Sequence, residues 1–328
     1  MQNVYDLIIV GGGPAGITAG IYAARKRLKT LLITKNFLGQ VAKTGQIDNY
    51  SGFPEISGMK LMKKFEEHLK KFAAPSGRAS PTESGLDIKI NEDEEVTKVE
   101  KAGENFLVKT EKKNKFLGKT VIVATGRDPR PLEIPGEKEF IGRGVSYCSI
   151  CDSPFFKDKS AAVIGGGNSG FEAALDLTKY AKRIFIFERS DKIIADEILQ
   201  EQVKRERKIQ IHLNKEMKKI EGIGKVQALI YQDLKTGETF QVPIDGIFVQ
   251  IGSVPATGFL KGLCEFNEND EIKVDFETCT ASCPGIFAAG DVNDGKWKQI
   301  IIAAAEGCRA ALAAYEYLIR SSGGPTSA

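Results

Sequence analysis

Asp6-Leu7-Ile8-Ile9-Val10-Gly11-Gly12-Gly13-Pro14-Ala15-Gly16 sets the architecture of this chain. Ile8, Ile9 and Val10 are β-branched, as in a strand buried on both faces of a parallel sheet. The glycines follow at once. Pro14 suits a first helical turn, where its missing N–H costs nothing. Ile17, Ala19, Ala23 and Ala24 continue that helix, and Arg25, Lys26 and Arg27 close it with the charge a helix C-terminus favours. Thr30-Leu31-Leu32-Ile33-Thr34 is the next expected strand. Within this βαβ unit of about thirty residues, Gly-x-Gly-x-x-Gly carries weight that the motif lacks alone. Gly11 allows the tight turn, Gly13 and Gly16 allow close approach, and the helix start offers N–H groups to a diphosphate.

The pattern returns about 150 residues later, a separation that fits two domains and not a short repeat. Ala161-Ala162-Val163-Ile164 opens into Gly165-Gly166-Gly167-Asn168-Ser169-Gly170. A helix is expected over 168–181, and the strand Arg183-Ile184-Phe185-Ile186-Phe187 stops at Glu188. Thr125-Gly126 ends an earlier strand, and a linker with Pro129, Pro131 and Pro135 follows. After Gly252-Ser253-Val254-Pro255 the pattern changes again. A strand over 285–289 stops at Gly290-Asp291, and an alanine-rich helix is expected over 299–318. The expected fold class is α/β, with two Rossmann-like nucleotide-binding domains, the second inserted into the first. Residues 1–126 and 250–328 would flank an insert over 127–249. Residues 37–54 are Gly-rich, polar and too long for a simple turn, so they are read as functional. Met62, Phe65, Leu69 and Phe72 mark a helix face, and residues 73–85 read as an exposed loop.

Glu188 stands where a carboxylate takes an adenosine ribose 2′-hydroxyl, which favours NADH over NADPH; Arg189 leaves NADPH possible. Thr34 holds the matching position in the first unit and has no carboxylate. Asp291, ending a strand before a helix, would suit a ribityl hydroxyl instead.

Between the two glycine turns lies Tyr147-Cys148-Ser149-Ile150-Cys151-Asp152. A Cys-x-x-Cys at a turn or helix start lowers one thiol pKa, and the thiolate attacks disulfides. Asp152 is placed to move a proton as the dithiol opens or closes. A metal site would need further ligands. Only His68 and His212 exist, and Cys279 and Cys283 have the wrong spacing for a second zinc knuckle. Cys264, Cys279, Cys283 and Cys308 read as small hydrophobes.

Composition sets the compartment. Lys plus Arg number 46 against 43 Asp plus Glu in 328 residues, so no nucleic-acid partner is expected. No run of eighteen apolar residues suggests a membrane span, and the N-terminus lacks the basic start of a signal peptide. Six cysteines in such a chain point to redox chemistry in the cytoplasm rather than a disulfide framework.

The chain resembles the low-molecular-weight thioredoxin reductase family over nearly its whole length. The likeness rests on the first glycine motif, Gly39-Gln40, Asn49-Tyr50-Ser51-Gly52-Phe53, Ala124-Thr125-Gly126, Cys148 to Asp152, and Gly290-Asp291. Within the family it is most similar to the reductase portion of the alkyl hydroperoxide reductase flavoprotein, through residues 165–174, 248–252 and 298–303. The resemblance implies FAD in the outer domain, held by Gly11, Gly13, Pro14, Ala15, Gly16, Thr34, Gly39, Gln40, Asn49, Thr125, Gly126, Asp291, Lys298, Gln299 and Ile300. It implies a nicotinamide coenzyme on Gly165, Gly167, Asn168, Ser169, Gly170, Glu188 and Arg189. It further implies that Cys151 faces the flavin, that Cys148 attacks the partner disulfide, and that the chain is a homodimer whose inserted domain rotates. The partner would be a separate thioredoxin- or glutaredoxin-fold protein, since the chain begins at the FAD domain. A reductase dedicated to a peroxidase system, or a redox-sensing FAD/NAD-binding module, are the alternatives. Phe187-Glu188-Arg189 replaces the basic stretch of NADPH-using members, Ser153 stands where glycine is usual, and residues 73–85 are longer than expected.

Overall fold

A computed structural model of the chain describes residues 4–44, 47–73 and 88–321; most of the loop expected over 73–85 lies outside them. The chain first lays down β1 (Val4–Val10), α1 (Pro14–Arg25), β2 (Thr30–Ile33), α2 (Gly58–Lys70) and β3 (Ile88–Asn91). Next come β4 (Val96–Ala102), β5 (Asn105–Thr110), β6 (Lys115–Val123) and β7 (Arg127–Pro129). The inserted part holds α3 (Glu137–Phe140), β8 (Val145–Ser146), α4 (Ser149–Asp152), β9 (Ser160–Ile164), α5 (Asn168–Thr178), β10 (Arg183–Phe187) and α6 (Glu197–Arg205). It continues with β11 (Ile209–His212), β12 (Lys215–Gly222), β13 (Val226–Asp233), β14 (Thr239–Pro243) and β15 (Gly246–Val249). The chain closes with β16 (Ser253–Pro255), β17 (Ile286–Ala288) and α7 (Ile300–Ser321).

Two compact units result, one of residues 1–128 and 254–328, the other of residues 129–253. The sequence reading places the crossings at 126/127 and 249/250, slightly early. Arg127 is held in the first unit by its ion pair with Glu271 at 2.7 Å, and Gln250 in the second by its N–H bond to the Ile164 carbonyl at 2.8 Å.

In the first unit β3, β2, β1, β6 and β17 form a parallel sheet, and β5 and β4 extend it antiparallel along the N-terminal half of β6. The alternation of β1 divides the core. Leu7 and Ile9 pack on one face with α1, α2 and α7, while Ile8 and Val10 pack on the other with Val121, Val123 and Ile286. The alanine content of α7 lets it lie close on α1. A Cβ at Gly307 would come within 2.1 Å of the Ala15 carbonyl oxygen.

The second unit repeats the plan with parallel strands in the order β11-β10-β9-β15-β8, beside an antiparallel sheet β12-β13-β14. Ala162 and Ile164 face one core and Ala161 and Val163 the other. The helix expected over 168–181 stops at Thr178, where the backbone turns to bury Ala181. Among the described residues no helix is long and apolar enough to cross a membrane.

Candidate functional site

The two glycine turns are built alike. Gly11 and Gly165 have φ of +114° and +124°, and a Cβ on either would meet a carbonyl oxygen at 2.2 Å, that of Ala124 or Gln250. A Cβ on Gly16 or Gly170 would strike the carbonyl oxygen of the turn's first glycine at 1.9 or 2.0 Å. Only glycine lets strand, turn and helix close this tightly. Gly13 and Gly167 are the N-caps of α1 and α5. A Cβ on Gly13 would meet nothing within 4 Å, and one on Gly167 only Ile194 at 3.8 Å. Each turn thus exposes a bare helix start with open space before it, the geometry an anionic diphosphate needs.

The equivalence extends to the middle glycines. A Cβ on Gly12 would meet Thr34 Oγ1 at 2.6 Å, and one on Gly166 would meet Glu188 Oε2 at 2.9 Å. Thr34 and Glu188 therefore hold the same station. Thr34 donates to the Asn36 carbonyl at 2.6 Å, whereas Glu188 accepts from Gly166 N–H at 2.6 Å and from Ser190 N–H at 2.8 Å. Arg189 turns outward to Glu216, 3.0 Å away. Asn168 and Asp196 exchange two hydrogen bonds, of 2.8 and 2.9 Å, which close the loop after β10 onto α5. Ser169 is exposed in the first turn of α5.

Around the first turn, several expected residues meet. Asn49 Nδ2 donates to Gln299 Oε1 at 3.4 Å, just before Ile300 starts α7. Gln40 donates to the Arg127 carbonyl at 2.9 Å, and Asn36 Oδ1 accepts from Gly39 N–H at 3.3 Å. Thr125 Oγ1 and the Gly126 carbonyl hold Ala256, at 2.8 and 3.1 Å. Asp291 is half-buried near Lys298 and Arg127; burial pushes its carboxyl up and those cations oppose the shift.

Sequence reasoning missed two carboxylates here. Buried Glu306 of α7 accepts from Gly290 N–H at 2.7 Å and Asn293 Nδ2 at 2.8 Å, fixing the turn that carries Asp291. An acid set directly between Ala303-Ala304-Ala305 and Gly307 in the first turns of α7 is the signal that could have found it. Glu271 pairs with Arg127 at 2.7 Å and Lys298 at 3.1 Å, so Lys298 is already engaged. Nothing in the local sequence marks Glu271.

In the second unit a disulfide joins Cys148 and Cys151, with Cα atoms 5.4 Å apart. Cys148 caps α4, and its Sγ accepts from Cys151 N–H at 3.3 Å. Such a donor favours a thiolate at Cys148 once the bond opens. Asp152 is half-buried and its N–H donates to the Cys148 carbonyl at 3.2 Å. Ser153 is buried, and its hydroxyl makes no hydrogen bond among the described residues. An unsatisfied buried hydroxyl is a cost. Ser153→Ala should therefore stabilise the oxidised protein by about 1 kcal/mol in a denaturant titration, and a loss of stability would show a partner for the hydroxyl. Burial pushes Cys279 and Cys264 up to about 12, as expected of packed thiols. Among the described residues no group of three or more His, Cys, Asp or Glu could hold a metal ion.

The chain thus carries two nucleotide-type turns on separate parallel sheets and a closed Cys-x-x-Cys in the second unit. The chain belongs to the pyridine nucleotide-disulphide oxidoreductase family, whose model matches residues 5–307. It is 40% identical over 320 residues to an alkyl hydroperoxide reductase chain of Staphylococcus epidermidis. The match covers 98% of this chain but spans only 60% of the length of that relative. Thioredoxin reductase of Lactococcus lactis (FR conformation) superposes with a TM-score of 0.83 at 37% identity, covering 96% of this chain and 99% of that one. Thioredoxin reductase of T. acidophilum gives 0.80 at 35% identity, covering 96% and 98%. The resemblance to low-molecular-weight thioredoxin reductases read from the motifs agrees with these findings.

Proposed function

We propose that the chain is an NADH-dependent reductase of protein disulfides, which delivers electrons through the Cys148–Cys151 pair to a thioredoxin- or glutaredoxin-fold protein. The observation that carries this is the closed Cys148–Cys151 disulfide, set in the same unit as the second nucleotide turn. When bound, FAD supplies the two-electron relay between a nicotinamide hydride and that disulfide. The first unit fits FAD. Gly13 and the start of α1 would take the diphosphate, and Asp291, backed by Glu306, would accept from a ribityl hydroxyl. Gln40, Asn49 and Gln299 offer amides around the same turn.

In the second unit the start of α5 would take the coenzyme diphosphate and Glu188 the adenosine ribose. Cys148 attacks the partner disulfide, Cys151 then displaces the partner from Cys148, and Asp152 carries the proton to the leaving thiolate. The enzyme works as a cytoplasmic homodimer. The likeness to an alkyl hydroperoxide reductase favours a second reading, a flavoprotein reductase dedicated to a peroxidase system. NADH-driven reduction of a purified thioredoxin-type disulfide tests the proposal; oxidation of NADH without release of partner thiols would sink it.

A second expectation concerns Asp291. Its folded pKa is raised by burial, so its contribution to stability is complete below the unfolded value of about 3.9 and is lost as pH rises through the folded value. Flavin-free Asp291→Asn should melt above flavin-free wild type at pH 7, the gap closing toward pH 4. Asp291→Ala should bind FAD more weakly by about 1.5–3 kcal/mol, through loss of a charged acceptor. Flavin absorbance per protein after dialysis measures this, and undiminished occupancy would remove Asp291 from the FAD site.

A further inference from the structure

The dithiol is held asymmetrically. On the Cys148 side, Tyr147 donates from Oη to Glu137 Oε1 at 2.7 Å. Glu137 is 1% exposed, and its carboxylate also accepts from Leu132 N–H and Glu133 N–H, each at 2.7 Å. Burial first, and the Glu137 carboxylate second, push the Tyr147 phenol well above its ordinary pKa, so it remains a donor. Gln250 Nε2 reaches the Tyr147 carbonyl at 3.4 Å. Ser146 Oγ brackets the next residue, accepting from Cys148 N–H at 3.0 Å and lying 3.2 Å from the Cys148 carbonyl. The Cys151 side is different. No residue of α4 is buried, and Cys151 is exposed. Among the described residues, the side-chain hydrogen bond that ties α4 to the rest of the unit is Ser149 Oγ to Asp176 at 3.2 Å, a carboxylate shared with Lys179 at 3.4 Å.

We propose that Glu137 and Tyr147 are positioning residues that hold Cys148 in place while the Cys151 turn moves as the disulfide opens and closes. The inference rests on the assignment of Cys148 as the attacking thiol. The Cys148 thiolate bonds one sulfur of the partner disulfide, and the other sulfur leaves as a thiolate. The Cys151 thiolate then attacks Cys148 Sγ, which re-forms Cys148–Cys151 and releases the partner's second thiolate. Both steps gain from a Cys148 that does not have to be found, because a fixed reactant has less freedom left to lose. Closure of the intramolecular bond gains likewise, since one of its ends is already immobile.

Tyr147→Phe in the flavin-loaded enzyme fills the same space without the donor. Equilibrated against a thiol–disulfide buffer, it should shift about tenfold toward the dithiol, a rise of ~30 mV for a two-electron couple. In a Cys151→Ser background, Tyr147→Phe should slow mixed-disulfide formation with a protein disulfide about tenfold. Glu137→Gln keeps one acceptor oxygen for Tyr147 Oη but sets its NH2 against Glu133 N–H, so its equilibrium should fall between those of wild type and Tyr147→Phe. A Tyr147→Phe enzyme that melts lower yet keeps the wild-type equilibrium and attack rate would overturn the inference, leaving only a structural role. Wild-type enzyme caught with its partner on Cys151 instead of Cys148 would overturn the assignment beneath it.

Discussion

Cys148→Ser should accept electrons from NADH into its flavin at close to the wild-type rate, yet reduce protein disulfides slower by orders of magnitude. The two outcomes separate because they depend on different parts of the fold. In the proposed reading coenzyme binding would draw on the Gly165–Gly170 turn and on Glu188, whose carboxylate is held by Gly166 and Ser190 and not by the dithiol. Disulfide exchange would draw on Cys148, whose sulfur accepts from Cys151 N–H at 3.3 Å and whose own N–H donates to Ser146 Oγ at 3.0 Å. A serine hydroxyl keeps the cap geometry of α4 but has neither the thiolate fraction nor the nucleophilicity to open a disulfide. The loss should therefore fall on turnover with the disulfide substrate and leave flavin reduction intact. Stopped-flow flavin reduction beside steady-state release of partner thiols reads both. Wild-type disulfide reduction by Cys148→Ser would show that electrons leave the enzyme by a route other than this pair.

Much of this was legible because backbone geometry dictates residue type. The first residue of each glycine turn lies at positive φ against a carbonyl, and no other residue fits, so Gly11 and Gly165 announce themselves. The strands β1 and β9 feed those turns and are apolar on both faces, which sequence shows directly. The equivalence of Thr34 and Glu188 follows from the same repeat. What stayed hidden are side chains whose partners only the folded chain brings together. Glu306 serves a turn sixteen residues earlier, and Glu271 pairs with Arg127, 144 residues away. Glu137 looks like any surface glutamate until the chain turns back and places Tyr147 on it. Periodicity registers burial and says nothing of which distant donor a buried carboxylate will meet. The domain crossings differ by a few residues for the same reason, since Arg127 belongs to the first unit through a tertiary ion pair.

NADH should have the higher kcat/KM, and one side chain should account for most of the preference. Glu188 follows β10 directly, with both carboxylate oxygens already oriented, Oε2 by Gly166 N–H at 2.6 Å and Oε1 by Ser190 N–H at 2.8 Å. The remaining lone pairs can accept the ribose 2′- and 3′-hydroxyls of NADH. A 2′-phosphate would instead face a carboxylate. At an effective dielectric of 20 and roughly 4 Å, two unit charges repel by about 4 kcal/mol. Solvent at this half-exposed strand end should reduce that to ~1–3 kcal/mol, or about 5- to 150-fold in selectivity. Arg189 offers little relief, because its side chain is 75% exposed and is directed to Glu216. Glu188→Gln removes the charge and keeps an acceptor for Gly166 N–H, so it should narrow the gap without disturbing the turn. Glu188→Arg should erase or reverse it. Steady-state kinetics with both coenzymes decide the matter. Unchanged selectivity in Glu188→Gln would reduce Glu188 to a brace for the glycine turn, and a wild-type preference for NADPH would overturn the coenzyme assignment while leaving the dithiol chemistry standing.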